Sequence, residues 1–139
     1  MQKINVIQSP DKDHPFLIIK KAGGVPSAPL TEFDSENAFS YAAELFPFLK
    51  DINGKKTVEH GLVHRLDTET EGLLLIAASQ DFYDFIQQEQ SLGRFIKTYK
   101  AECTLNSRNI ELLEGFPPCP VNEMFYERRK FAVESYFRN

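Results

Sequence analysis

One carboxylate stands out in this chain, because Asp67 lies between a basic pair and an apolar run. The basic pair is His64 and Arg65, and residues 73–76 form an all-aliphatic run of the kind that lies buried in a sheet. An acid on a loop that enters a buried strand is held by a rigid element and can be directed at a ligand. Arg65 adds a planar cation with several hydrogen-bond donors. This combination suits a nucleophile or base that acts on a polyanion.

A structural role is the alternative for Asp67, since an Asp before a strand most often satisfies backbone donors in a turn. The whole string favours chemistry: from Gly61 to Leu75 it reads Gly-Leu-Val-His-Arg-Leu-Asp-Thr-Glu-Thr-Glu-Gly-Leu-Leu-Leu. This string resembles the signature loop of the RNA pseudouridine synthases. Its His64-Arg65 form is most similar to the RluA-type branch. The resemblance implies that Asp67 is the catalytic residue.

Two further stretches carry the same resemblance and lie in the family's order. Residues 16–27, Phe-Leu-Ile-Ile-Lys-Lys-Ala-Gly-Gly-Val-Pro-Ser, resemble the opening strand and glycine turn, with Lys20 where the family usually has Asn. Residues 94–101, Arg-Phe-Ile-Lys-Thr-Tyr-Lys-Ala, resemble the family's Lys-x-Tyr-x-Ala strand. The family's active-site tyrosine corresponds to Tyr99. Without the Asp67 string, Tyr99 would be an ordinary sheet aromatic with its hydroxyl at the surface.

The chain departs from the family pattern in two places. Residues 70–72, Thr-Glu-Gly, are more similar to the RsuA-type branch, so the branch stays open. The family also carries a later basic, His-containing motif whose cation pairs with the catalytic Asp, and no such motif appears before Asn139. We therefore expect residues 1–139 to be a partial catalytic domain that lacks its C-terminal part. Alone it should be inactive or nearly so, and it should self-associate through a C-terminal edge strand.

The resemblance implies RNA as the partner and the isomerisation of uridine to pseudouridine, in structured ribosomal or transfer RNA, as the reaction. A carboxylate that acts as nucleophile or base is the minimum requirement, without cofactor or metal. Arg65 would fill the space that a flipped-out base leaves or hold flanking phosphate, and Tyr99 would stack on the uracil. The predicted catalytic residues are Asp67 and Tyr99. The predicted RNA-binding residues are Arg65, His64, Lys21 and Lys97, of which His64 either shapes the loop or touches phosphate.

Two other interpretations remain open. The chain could be a non-catalytic RNA-binding remnant of such an enzyme, which keeps the basic residues but fails at chemistry. It could also be a sheet domain without an RNA role, in which Asp67 caps a turn and Arg65 is its salt-bridge partner.

Composition bounds these interpretations. The 139 residues are 42% hydrophobic and include 12 Phe, which indicates a folded domain. The net charge of −4 argues against a simple polyanion binder, although basic residues crowd the motif segments. The two cysteines form no Cys-x-x-Cys pair, so no metal site is expected. The N-terminus lacks the apolar core of a signal peptide and the apolar runs are too short for a membrane span, which predicts a cytoplasmic protein.

Local patterns predict the elements that position these residues. Short strands are expected at residues 3–7 and 15–21, and a buried strand at 72–78. A helix should follow Asp34-Ser35 and end at Pro47. A second helix should run from Ser79, a good N-cap, to Gly93. Further strands are expected at 94–104 and within 124–137. The predicted fold class is α+β, with a mixed, largely antiparallel sheet and two packed helices.

Overall fold

The computed structural model describes residues 3–100 of the chain. The chain divides into two compact units at Thr98, so residues 3–98 belong to the first unit, and Tyr99 and Lys100 begin the second. The first unit combines a three-stranded antiparallel sheet with two α-helices. The predicted α+β class is therefore confirmed. The strands predicted within 124–137 lie outside the described residues.

The sheet has the order β1-β2-β3, with β1 at Ile4–Gln8, β2 at Phe16–Lys21 and β3 at Gly72–Ala77. Both pairs of neighbouring strands are antiparallel. Leu17 and Ile19 of the central strand are fully buried, because alternate residues of a strand point to the same face. All three predicted strands are confirmed to within a residue or two.

The first helix, α1, spans Ala38–Leu45 and ends before Pro47, as predicted. Its N-cap is the buried Asn37, whose Oδ1 accepts a hydrogen bond from the Ser40 N–H at 2.9 Å. The predicted start directly after Asp34-Ser35 is slightly early. The Asp34 carboxylate instead accepts backbone N–H groups within the preceding loop, so a later residue caps the helix.

The second helix, α2, spans Gln80–Ser91 and agrees closely with its prediction. The Ser79 hydroxyl accepts a backbone N–H of the first turn, and Gly93 follows the helix with a φ of 69°. This left-handed conformation is the one that glycine favours after a helix. The buried face of α2 packs into a small apolar cluster, which comprises Ile52, Val63, Ala77, Tyr83 and Ile86.

The segment after α2 differs from its prediction. Residues 94–100 form no strand, so the predicted strand at 94–104 is wrong over that part. Phe95 packs against the α2 cluster, and its neighbours are exposed. A strand needs a partner for its N–H and C=O groups, and none of the described strands pairs with this segment.

Candidate active site

The loop that carries Asp67, residues 61–71 (the Asp67 loop), is attached to β3 at its beginning. Leu62 forms an isolated antiparallel bridge with Ile76, and the Ala77 N–H donates to the Gly61 carbonyl at 2.8 Å. A Cβ on Gly61 would lie 2.5 Å from the Ala77 carbonyl oxygen, so a larger residue would push the loop away from the strand. The beginning of the loop is therefore fixed against β3.

Immediately before Asp67, the main chain is held by the side chain of Ser27. The Ser27 hydroxyl donates to the Leu66 carbonyl at 2.6 Å and accepts the Leu66 N–H at 2.9 Å. Ser27 is buried, so water does not compete for these bonds. Both polar groups of Leu66 are thus satisfied by one hydroxyl.

Immediately after Asp67, the main chain is held at Thr68. Its carbonyl accepts the Gly24 N–H at 2.9 Å and the Lys21 ammonium at 2.9 Å. Lys21 also donates to the carbonyls of Ala22 and Val25, at 3.0 and 2.6 Å. Gly24 reaches Thr68 with a φ of 80°, a conformation that other residues adopt with strain.

Asp67 itself lies between these two attachments, outside any helix, and its side chain is exposed. Its carbonyl accepts the Thr70 N–H at 3.0 Å and closes a turn. Among residues 3–100, no hydrogen bond to the Asp67 carboxylate is formed, so the side chain does not cap this turn. The backbone around the acid is fixed while its carboxylate is available.

Asp67 lines a polar cavity of about 490 Å³, the Asp67 cavity. Its walls come from three segments of the first unit: Pro26, Ser27, Ala28, Pro29 and Leu30; Arg65, Leu66, Asp67 and Thr68; and Lys97. One acid and two cations thus border a single concave space. A negatively charged ligand with one reacting group near the acid fits this charge arrangement.

Arg65 is about half exposed, and its Nη1 lies 3.2 Å from Oε1 of Glu59. Glu59 also lies 3.4 Å from the Lys56 ammonium. Within the described residues, the ion-pair partner of Arg65 is therefore Glu59, and not Asp67. The sheet-domain interpretation, which pairs Arg65 with Asp67, loses support.

His64 is partly buried, and its ring is fixed on β3. Its Nε2 accepts the Leu75 N–H at 3.3 Å, and the ring lies 5.8 Å from that of Phe95. Burial lowers the pKa of His64, and the nearby Lys97 charge lowers it further, against a smaller raising effect from the Arg65 backbone. The ring thus connects the Asp67 loop to β3, and the role of His64 in RNA binding stays a prediction.

Lys21, a predicted RNA-binding residue, is fully buried in β2. Three carbonyls accept hydrogen bonds from its ammonium. Burial lowers its pKa, while the negative charges of Glu69 and Asp67 act in the opposite direction. In this structure Lys21 holds the main chain beside Asp67, and its contact with RNA stays a prediction.

The comparison with known protein families gives this geometry its context. A family model described as RNA pseudouridylate synthase matches residues 15–136, which is most of the chain. The chain belongs to the RNA pseudouridylate synthase family. The resemblance of the Asp67 string is therefore confirmed at the level of the superfamily, and the family implies an RNA substrate. A search of the curated proteins finds no match.

Two predicted site residues of this family member lie after α2. Lys97 is exposed and borders the Asp67 cavity, as its predicted RNA contact requires. Tyr99 is 61% exposed and begins the second unit of the chain, so its stacking on uracil stays a prediction.

Sequence reasoning did not single out Ser27, although it ends the stretch of residues 16–27 that resembles the family's glycine turn. For Lys21 a signal existed, because it continues the alternation of Leu17 and Ile19 onto the buried face of β2.

No group of three or more His, Cys, Asp or Glu side chains that could hold a metal occurs among the described residues. Within the same residues, every helix is too short or too polar to cross a membrane.

Proposed function

We propose that this protein isomerises uridine to pseudouridine in structured ribosomal or transfer RNA, with Asp67 as the catalytic carboxylate. The arrangement around Asp67 supports the proposal. Its main chain is held at Leu66 and at Thr68, while its exposed carboxylate lines a cavity with Arg65 and Lys97. A reacting group that is positioned before substrate arrives loses less entropy in the transition state.

The reaction asks little more than a positioned carboxylate. The bond between N1 of uracil and C1′ of ribose breaks, the base rotates, and a bond forms between C5 and C1′. N1 gains a proton and C5 loses one, so no electrons are exchanged with an external partner. A carboxylate can act as nucleophile toward the sugar or base, or as the base that takes the C5 proton.

The charges at the cavity suit the nucleic-acid backbone. The whole chain carries a net charge of −4, so any attraction for RNA must be local. Arg65 and Lys97 supply two exposed cations at the rim, and a guanidinium can also stack on bases. We propose that Arg65 fills the space of the flipped uridine, that Tyr99 stacks on the uracil, and that Lys97 contacts phosphate.

The proposal is tested with a folded RNA whose uridines carry tritium at C5, because forming the C5–C1′ bond releases that hydrogen to water. A protein that contains these residues should release tritium and form pseudouridine, and assaying residues 1–139 alone in parallel tests the expectation that they are inactive by themselves. Asp67→Asn should reduce release to background, since the amide is neither a base nor an adequate nucleophile. Its affinity for the RNA should stay within about threefold of wild type.

The matched control is Glu69→Gln, which removes an equal charge from an exposed residue of the same turn. It should keep most of the wild-type rate. Turnover by Asp67→Asn near the wild-type rate would overturn the assignment of Asp67. RNA binding by the wild-type chain without any tritium release would instead support the rival function, a non-catalytic RNA-binding protein.

A further inference from the structure

We propose that Ser27 is a positioning residue, whose hydroxyl sets the direction of the Asp67 carboxylate. The proposal rests on the proposed function of Asp67 and extends it to a residue that does not react. Ser27 lies 39 positions before Leu66 in the sequence and reaches it with two hydrogen bonds, of 2.6 and 2.9 Å.

Ser27 can influence the direction of the Asp67 side chain because both hydrogen bonds are made to the preceding residue, Leu66. The Leu66 carbonyl belongs to the peptide group that joins Leu66 to Asp67. Fixing the plane of that group restricts φ of Asp67, and with it the direction of the Cα–Cβ bond. Because Ser27 holds the Leu66 N–H as well, the peptide groups on both sides of Leu66 are fixed by the same hydroxyl.

Ser27 can transmit this restraint because it is itself fastened to α1. Its carbonyl accepts the Phe39 N–H at 3.1 Å, and the carbonyl of Pro26 accepts the Ala38 N–H at 2.8 Å. Phe39 and Ala38 are both buried in the main core. The Asp67 loop is therefore attached, through Ser27, to the start of α1 as well as to β3.

Water can hardly take the place of the Ser27 hydroxyl. Ser27 is only 4% exposed and lies at the wall of the Asp67 cavity. An alanine there would leave two polar groups of Leu66 without this partner, and the loop would have to shift to find others. A small shift at a reacting group lowers the rate far more than the affinity.

The first test compares Ser27→Ala with Ser27→Thr in the tritium-release assay. Ser27→Ala should lower kcat about 10- to 100-fold and leave KM within about threefold. Ser27→Thr keeps the hydroxyl and should recover most of kcat. A wild-type kcat in Ser27→Ala would overturn the proposal.

The control for general destabilisation is Ser79→Ala, which removes another serine hydroxyl that accepts a backbone N–H, at the start of α2. Ser79 does not line the Asp67 cavity. Ser79→Ala should lower the melting temperature without changing kcat. If both variants lost kcat in proportion to their loss in melting temperature, Ser27 would have no specific positioning role.

A second measurement does not depend on activity. The Leu66 amide should exchange with solvent at least tenfold faster in Ser27→Ala than in wild type, while the amides of Leu74 and Ile76 in β3 keep their protection. Unchanged exchange at Leu66 would overturn the proposal. If wild type released no tritium, the proposed function would fail, and amide exchange alone would still decide whether Ser27 orders this loop.

Discussion

The Asp67 loop and the segment that follows α2 border the same cavity but are held in different ways. The loop is bridged to β3 and hydrogen-bonded on both sides of Asp67. The segment of residues 94–98 is attached by Phe95, which packs on an apolar cluster, and by Arg94. We infer that the loop supplies geometry together with the Arg65 charge, and that the segment supplies only charge.

The two basic residues of that segment differ as well. Arg94 forms a two-point ion pair with Glu89, at 2.8 and 2.5 Å, and so is already neutralised. Lys97 is exposed at the Asp67 cavity. Two cations of one motif, three residues apart, should therefore contribute unequally to RNA affinity.

The largest effect should come from Lys21, because its substitution removes part of what holds the loop. Lys21→Met leaves three carbonyls without their donor and should lower the free energy of unfolding by about 2–4 kcal/mol. Turnover should fall as well, since the Thr68 carbonyl keeps only its hydrogen bond from the Gly24 N–H. Urea unfolding measures the stability, and tritium release measures the rate.

The control for Lys21 is its neighbour. Lys20→Met removes a half-exposed ammonium that pairs with Glu71 at 2.6 Å. An exposed pair of this kind contributes at most about 1 kcal/mol. Equal stability losses in the two variants would contradict the view that the Lys21 hydrogen bonds hold the Asp67 loop.

A smaller effect on rate is expected from Arg65→Lys, which keeps the charge and loses the planar stacking surface. Stacking on a base is worth about 1–3 kcal/mol, so turnover on folded RNA should fall roughly tenfold, with affinity changed only about twofold. Arg94→Lys should leave both quantities near wild type. Equal turnover on single-stranded and folded RNA, with or without Arg65, would argue against a base-flipping role.

The next effect concerns stability and pH. Burial lowers the pKa of His64 in the folded protein. As the pH falls through the ordinary histidine pKa of about 6.5, His64 is therefore protonated in the unfolded chain before it is protonated in the folded one. The free energy of unfolding should therefore decrease between about pH 7.5 and pH 5.5, and recover as pH rises. Urea unfolding at the two pH values measures this change.

The histidine controls separate His64 from the other titrating groups. His64→Gln should remove much of the pH dependence, whereas His14→Gln, at an exposed residue paired with Asp11, should retain it. The same slope in wild type and His64→Gln would show that another group causes the dependence.

The smallest effect is expected from Lys97→Gln. Loss of one phosphate contact should weaken RNA binding similarly for all sequences and reduce the slope of log affinity against log salt by about 1. Turnover at saturating RNA should stay near wild type. Lys12→Gln, at an exposed residue between β1 and β2, is the control. A rate defect in Lys97→Gln at saturation would show that this segment also supplies geometry.

Elements whose causes are local could be predicted from the amino-acid sequence alone. The alternation in β2, the aliphatic run of β3, and the Ser79 cap and Gly93 end of α2 all act within a few residues. The Asp67 string likewise predicted the family, which the match over residues 15–136 confirms. The predicted strand after Gly93 failed over residues 94–100, because a strand depends on a partner elsewhere in the chain.

The hydrogen bonds that hold the main chain around Asp67 could not be predicted from the sequence, because they join segments that are far apart in the chain. Lys20 and Lys21 are identical side chains in one strand, yet one is exposed and the other is buried among carbonyls. One of those carbonyls belongs to Thr68, which lies 47 positions further along the chain. Ser27 and Leu66 meet across 39 positions in the same way. Hydrogen bonds between distant segments leave no periodic pattern in a sequence, so the restraint on the Asp67 loop becomes visible only when the chain is folded.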